Sequence, residues 1–246
     1  MFPKLSAFDI IKLFFRAVFV LLVAAVFAVL FWRMATSRVP KELLELTPNE
    51  VLIEAYDEHG DSLTLMTQEQ NTITRTEENY GYFTVSQAVF IPDAGQLQLL
   101  VRYNDSTLEA LQKDYGLEFL PESDKDWYDV SVVVATDLTP ENGDDNLSND
   151  RESVALTRIL PTEVSARMHH GRHSYRKLIF DGITFDESLL AVYADFFYIG
   201  DIGYQSEDFD IYEDKAYGTL CLYAFTEEGD NEVTNLTEKQ KQMLNK

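Results

Sequence analysis

The chain has 246 residues, a formal charge of −22 and one cysteine, Cys221. Residues 1–38 hold five Lys or Arg and one Asp, so the rest of the chain carries −26. A body this acidic does not bind nucleic acid, or an anionic membrane surface, through bulk electrostatics, and a lone cysteine excludes an internal disulfide framework and a cysteine-based zinc site.

The first element is Leu13–Trp32, LFFRAVFVLLVAAVFAVLFW. Its 20 residues are what a helix needs to cross a hydrocarbon core. Arg16 interrupts the run, and its guanidinium can snorkel to the headgroups. Phe14, Phe15, Phe31 and Trp32 sit where interfacial aromatic belts form. Ser6 and Asp9 have capping-box spacing, which starts the helix near Ser6, and Pro40 limits its far end. The apolar run exceeds a signal-peptide core and no A-x-A site follows it, which predicts a retained anchor. Lys4, Lys12, Arg16 and the amino terminus precede the core; Arg33, Arg38 and Lys41 follow it. This narrow positive-inside balance places the N-terminus in the cytoplasm and the remainder in the extracytoplasmic space.

Residues 39–50 read as a juxtamembrane connector. From Val51 the pattern alternates with period two, and Val51–Tyr56 reads as a strand, followed by a turn at 58–61 and a returning strand at Leu63–Thr67. Tyr82–Ile91 and Gln96–Tyr103 form a hairpin about the turn Pro92-Asp-Ala-Gly95. Phe83, Val85, Val89 and Ile91 share one face of the first strand; Leu97, Leu99, Val101 and Tyr103 share one face of the second. Ser106–Tyr115 reads as a capped helix ended by Gly116. Trp127–Thr136, Val154–Leu160, Glu163–Met168, Tyr175–Phe185, Leu189–Ile199 and Ala216–Phe225 read as further strands, with an acidic loop over Asp137–Glu152. Cys221, in an alternating strand, reads as a small buried hydrophobe. Beyond Thr226 the chain is polar, with a short terminal helix around Glu238–Leu244.

About nine or ten closely spaced strands, one helix in a connection and no crossover helices predict an all-β fold, a mostly antiparallel β-sandwich behind a single transmembrane helix. The expected divisions are 1–38 for the cytoplasmic stub and membrane helix, 39–50 for the connector, 51–228 for the sandwich and 229–246 for a polar tail.

Two stretches stand out chemically. Arg167–Lys177 gathers three of the four His, and with Arg158 it holds five of the fifteen Lys and Arg outside residues 1–38. Arg167, His169, His170, Arg172, His173, Arg176 and Lys177 suit an acidic or anionic partner, because clustered Arg forms fork sites for carboxylate or phosphate. The competing reading is a turn whose bases pair with nearby carboxylates. His169 and His173 have zinc-pair spacing for a helix, but Gly171 lies between them and the flanks read as strand. Asp201–Asp214 is the acidic counterpart: Asp201, Asp208, Asp210 and Asp214 offer loop oxygens of the kind Ca²⁺ takes, without EF-hand spacing. Tyr193 and Phe197 belong to a strand with aromatics on both faces, whose second face needs a cover, a partner or a sugar.

No G-x-S-x-G, Walker loop, G-x-G-x-x-G or metalloprotease motif is present. The sequence therefore predicts a single-pass, membrane-anchored extracytoplasmic protein without enzymatic activity, one that binds another protein or serves as an envelope accessory component. Lack of disulfides in an outer domain fits a bacterial envelope. A carbohydrate- or cell-wall-binding module is the alternative, and a hydrolase with an unrecognised carboxylate pair is a third reading.

Overall fold

The structure is a computed structural model, and it describes residues 7–72, 83–104, 129–137, 154–197, 216–225 and 231–245. The chain begins with helix α1, Ala7–Ser37. Within it, Ile11–Met34 spans 24 residues at a mean hydropathy of 2.8, and none of this stretch is buried by the rest of the protein. The helix is long and apolar enough to cross a bilayer. Large side chains such as Phe19, Leu21 and Phe31 stand exposed on it.

After a short 3₁₀ turn at Lys41–Leu44, the chain forms α2, Glu50–His59. This corrects the strand expected at Val51–Tyr56. The apolar run satisfied both periods, and local chemistry together with packing selected the helical one. Asn49 caps the helix by accepting from the Leu52 amide at 3.0 Å, a contact of about 1 kcal/mol. Leu52, Ala55 and Tyr56, spaced three and four apart, are the buried residues. Gly60 at φ 55° ends the helix, so the expected turn is its C-terminal cap.

Eleven strands are present among the described residues, in two sheets whose pairings are all antiparallel. They are β1 (Thr64–Thr72), β2 (Thr84–Ile91), β3 (Gln96–Tyr103), β4 (Asp129–Asp137), β5 (Val154–Ile159), β6 (Glu163–Val164), β7 (Met168–His170), β8 (His173–Asp181), β9 (Leu189–Phe197), β10 (Ala216–Ala224) and β11 (Val233–Asn235). The seven-stranded sheet has the order β11-β1-β2-β3-β8-β6, with β7 also paired to β8; the four-stranded sheet runs β10-β9-β4-β5. The strand expected over Glu163–Met168 is two short pieces. The one expected over Tyr175–Phe185 stops at Asp181, where Gly182 turns to φ 86°. The helix expected at Ser106–Tyr115, and the acidic loop beyond Asp137, lie outside the described residues.

One core joins the two sheets. Leu97, Leu99, Val101 and Phe180 from the first meet Val130, Val132, Val134, Val192 and Phe196 from the second. Burying each such side chain contributes on the order of 1.5–3 kcal/mol. Phe83 stacks on Phe196 with ring centroids 5.6 Å apart. Tyr223 of β10 crosses between the sheets, and its hydroxyl reaches the carbonyls of Met66 on β1 and Ala88 on β2 at 2.7 and 2.8 Å. It can donate to only one of them at a time.

A bulge corrects the expected facing of β2. The register shifts between Val85 and Gln87. Phe83 and Val85 therefore join Ala88 and Phe90 in the inter-sheet core, while Val89 and Ile91 point the other way. That other face is also covered. Val89, Ile91, Leu63 and Leu65 pack with Leu46 of the connector, Leu52, Ala55 and Tyr56 of α2, and Leu236 and Leu244 from the C-terminal segment. Leu244 belongs to α3, Glu238–Leu244, the short terminal helix, which Thr237 and Gln240 close with a capping box. The polar C-terminal stretch is thus part of the packed body: β11 pairs with β1, and α3 docks beside α2. Cys221 is exposed, against expectation. Its strand shifts register between Cys221 and Tyr223, and Leu222 and Tyr223 take the core positions.

The connector is pinned to the same sheet face. Gln98, buried on β3, accepts from the Thr47 amide and donates to the Thr47 carbonyl, each at 2.8 Å. Gln96, its neighbour on that face, donates to Asn49 at 2.9 Å and to Asp181 at 2.7 Å. Lys177 Nζ donates to the Glu45 carbonyl. Residues 45–49 therefore form a strap laid along the sheet.

Candidate functional site

The basic stretch folds as a hairpin. β7 and β8 join through Gly171, at φ 62°, and Arg172. His170 faces His173, His169 faces Ser174, and Met168 faces Tyr175 across the pair. β8 is paired on its other side with β3: Arg102 opposite Tyr175, Tyr103 opposite Ser174, and Val101 opposite Arg176. Directly opposed residues share a sheet face, so this register divides the stretch in two.

The inner face holds Arg167, His169, Ser174 and Arg176. Val101 and Tyr103, their β3 neighbours, belong to the inter-sheet core. Arg167 Nε donates to Ser174 Oγ at 2.9 Å, and its guanidinium lies over the Tyr103 ring at 5.5 Å. His169 Nδ1 is 3.1 Å from the same Ser174 oxygen. Arg176 is only 4% exposed. These groups are tied into the sheet.

The outer face holds His170, His173, Tyr175 and Lys177, with Arg172 exposed in the turn. Arg102 joins them from β3; nothing in the linear sequence links it to a stretch some seventy residues on. His173 lies edge-on to Tyr175, ring centroids 6.4 Å apart. Partial burial holds the His173 imidazole below its usual range, and the positive charges of Arg102, Arg172 and His170 push it further down. Burial raises the Tyr175 phenol, with Arg102 opposing that effect. Lys177 is depressed to about 8 by burial, against a smaller pull upward from Glu45. Such an arrangement can bind an anion: two guanidiniums and two imidazoles converge on one sheet end, and neutral His173 still offers a donor or acceptor.

The hairpin separates His169 from His170 and His173, so the three do not converge as metal ligands. Among the described residues no group of three or more His, Cys, Asp or Glu is placed to hold a metal ion. Asp201, Asp208, Asp210 and Asp214 lie outside the described residues. Tyr193 is half-buried on β9, between Val133 of β4 and Cys221 of β10; Phe197 ends β9, and its side chain lies outside the described set.

Two further features escaped the sequence. A cleft of about 490 Å³ opens beside the inter-sheet core, lined by Met66, Phe185, Asp186, Glu187, Leu189, Phe225 and Asn231. Phe185 and Phe225 meet edge to face at 5.5 Å. Hydrogen bonds from the Ser188 hydroxyl and amide lower the Asp186 carboxyl. The second is a buried ion pair, Arg158 to Asp195 at 3.0 Å, which draws in Ser131 and Thr219. Neither was legible, because the partners are assembled by strand pairing across long intervals. The chain matches no family model, no curated protein and no solved structure.

Proposed function

We propose that this chain is a single-pass membrane protein whose extracytoplasmic β-sandwich binds another protein, as a non-enzymatic envelope accessory component. α1 supports the anchor, because it is long and apolar enough to cross a bilayer and none of its span is buried in the body. The observation that carries the binding role is β5. Among the described residues it ends the four-stranded sheet, and Val154 and Leu156 are 43% and 48% exposed on it. An edge strand with open apolar side chains is a template for an added strand from a partner. Photo-crosslinkers at Leu156 and, as control, at Asn245 test this in native membranes. Repeated adducts at Leu156 alone support the reading; a chain that never crosslinks or co-purifies with another protein removes it.

The cleft favours a second reading, a carbohydrate-binding module. Phe185 and Phe225 offer apolar ring surface, and Asp186, Glu187 and Asn231 offer hydrogen-bonding rims. Asp186 and Glu187 are neighbours on one loop and do not face each other across a gap, which supports binding over hydrolysis. Affinity for cell-wall polysaccharide that disappears in Phe185→Ala is the expected result of this reading; no affinity in the intact chain sinks it.

A further inference from the structure

The outer face of the seven-stranded sheet is electrically polar along its strands. At one end stand Asp93, in the β2–β3 turn, and Asp181, which ends β8. At the other end stand Arg102, His170, Arg172 and His173. Arg102, Arg172 and His170, all basic, act on His173. Basic groups gathered at one sheet end repel one another when protonated, and this occurs in a chain of net charge −22.

The strap shows which way this end points. Asn49 lies at the row of Gln96 and Asp181, Thr47 at the row of Gln98 and Ile179, and Glu45 at the row of Leu100 and Lys177. Traced toward the N-terminus, the strap advances along the sheet row by row, from the acidic end toward the basic one. The next rows are Arg102 with Tyr175 and then the His170–His173 hairpin. The next basic residues along the chain are Lys41, Arg38 and Arg33, and α1 has begun by Ser37. The strap is therefore heading toward the cationic end of the sheet where it gives way to the turn before α1.

We infer that the Arg102–His170–Arg172–His173 end of the seven-stranded sheet docks on the anionic phospholipid headgroups of the membrane that α1 enters. This rests on the reading of α1 as a membrane anchor. Guanidiniums fork onto phosphate oxygens, and imidazoles add single hydrogen bonds. The net acidity of the body does not oppose the contact, because at physiological salt charges act over about 8 Å and only the groups at the surface are felt. Each Lys or Arg held near an anionic surface contributes roughly fivefold in affinity.

The test uses the full chain in lipid nanodiscs, with hydrogen–deuterium exchange read at the His170–His173 turn. One set of discs is phosphatidylcholine; in the other, a third of the lipid is phosphatidylglycerol. The expected result is slower exchange in the anionic discs only, reversed by high salt and reduced roughly fivefold in Arg172→Gln. Arg172 is exposed in a turn, so this variant keeps the fold. Equal exchange in both discs overturns the inference and leaves the anchor standing. Protection by millimolar inorganic phosphate in phosphatidylcholine discs, equal to that given by the anionic lipid, assigns the site to a free anion and overturns it. So does protection that appears only when other membrane proteins are added. A chain that the discs fail to retain refutes the anchor and this inference with it.

Discussion

Gln98→Leu tests the strap that joins α1 to the sheets. The substitution keeps the side-chain volume and removes every hydrogen bond made by the amide. Gln98 makes three, each at 2.8 Å: from the Thr47 amide, to the Thr47 carbonyl and to Gln96 Oε1. Gln98 is 3% exposed, so water does not replace them in place. At about 1 kcal/mol each, their loss costs about 3 kcal/mol. For a body of this size that lowers Tm by about 6–12 °C. The strap has a cheaper response, which is to lift off and hydrate Thr47. Residues 45–49 then gain hydrogen exchange and protease sensitivity, while β3 keeps its pairing with β2 and β8. Exchange mass spectrometry and thermal melting of the full chain separate these outcomes. If Thr47 keeps its protection and Tm does not move, the strap is not held by Gln98 and the reasoning fails.

Tyr223→Phe removes a side-chain hydroxyl that bridges the sheets, and about 1–2 kcal/mol of stability should go with it, measurable by urea denaturation. Asp195→Ala leaves Arg158 buried beside an empty position and should cost about 3–5 kcal/mol, whereas Asp195→Leu with Arg158→Met should cost markedly less in the same assay. Burial holds the Lys177 ammonium down at about 8, below its ordinary 10.5. The unfolded chain therefore holds more protons between those values, and stability should rise as pH increases from 8 to 10.5; Lys177→Met should flatten that slope in pH-dependent melts. Gly95→Ala should destabilise by about 1–3 kcal/mol, because the residue sits at φ 55° and the new Cβ would lie 2.7 Å from the Ile183 carbonyl oxygen.

Features set by near neighbours in the chain were readable. α1 follows from hydropathy alone, and the Gln96–Tyr103 strand from its alternation. Features set by pairing between distant segments were not. Val51–Tyr56 fits a strand and a helix equally well, and Asn49 with the apolar surface of β1 and β2 makes it a helix. The bulge after Val85 reverses the remainder of β2, and no residue there announces it. Gln96 and Gln98 look like a solvated face because alternation sees polarity and not the strap that covers it. The basic stretch was visible as composition. Its division between the two faces of the sheet needed the register of β8 against β3, and that register also brought in Arg102.

Charge and connectivity then constrain each other. A freely tethered body would point its basic groups wherever they fell. The strap removes that freedom, because Glu45, Thr47 and Asn49 are each fixed to a sheet row. Few residues separate Glu45 from the end of α1 at Ser37, and four of them form a 3₁₀ turn with a short rise. With α1 in a bilayer, docking of the basic end directs the acidic Asp93–Asp181 end away from the headgroups. Attraction of the basic end then holds the body upright, while the acidic end lies beyond the reach of the surface charge. Binding faces distant from the strap, β5 among them, remain open to a partner in that posture.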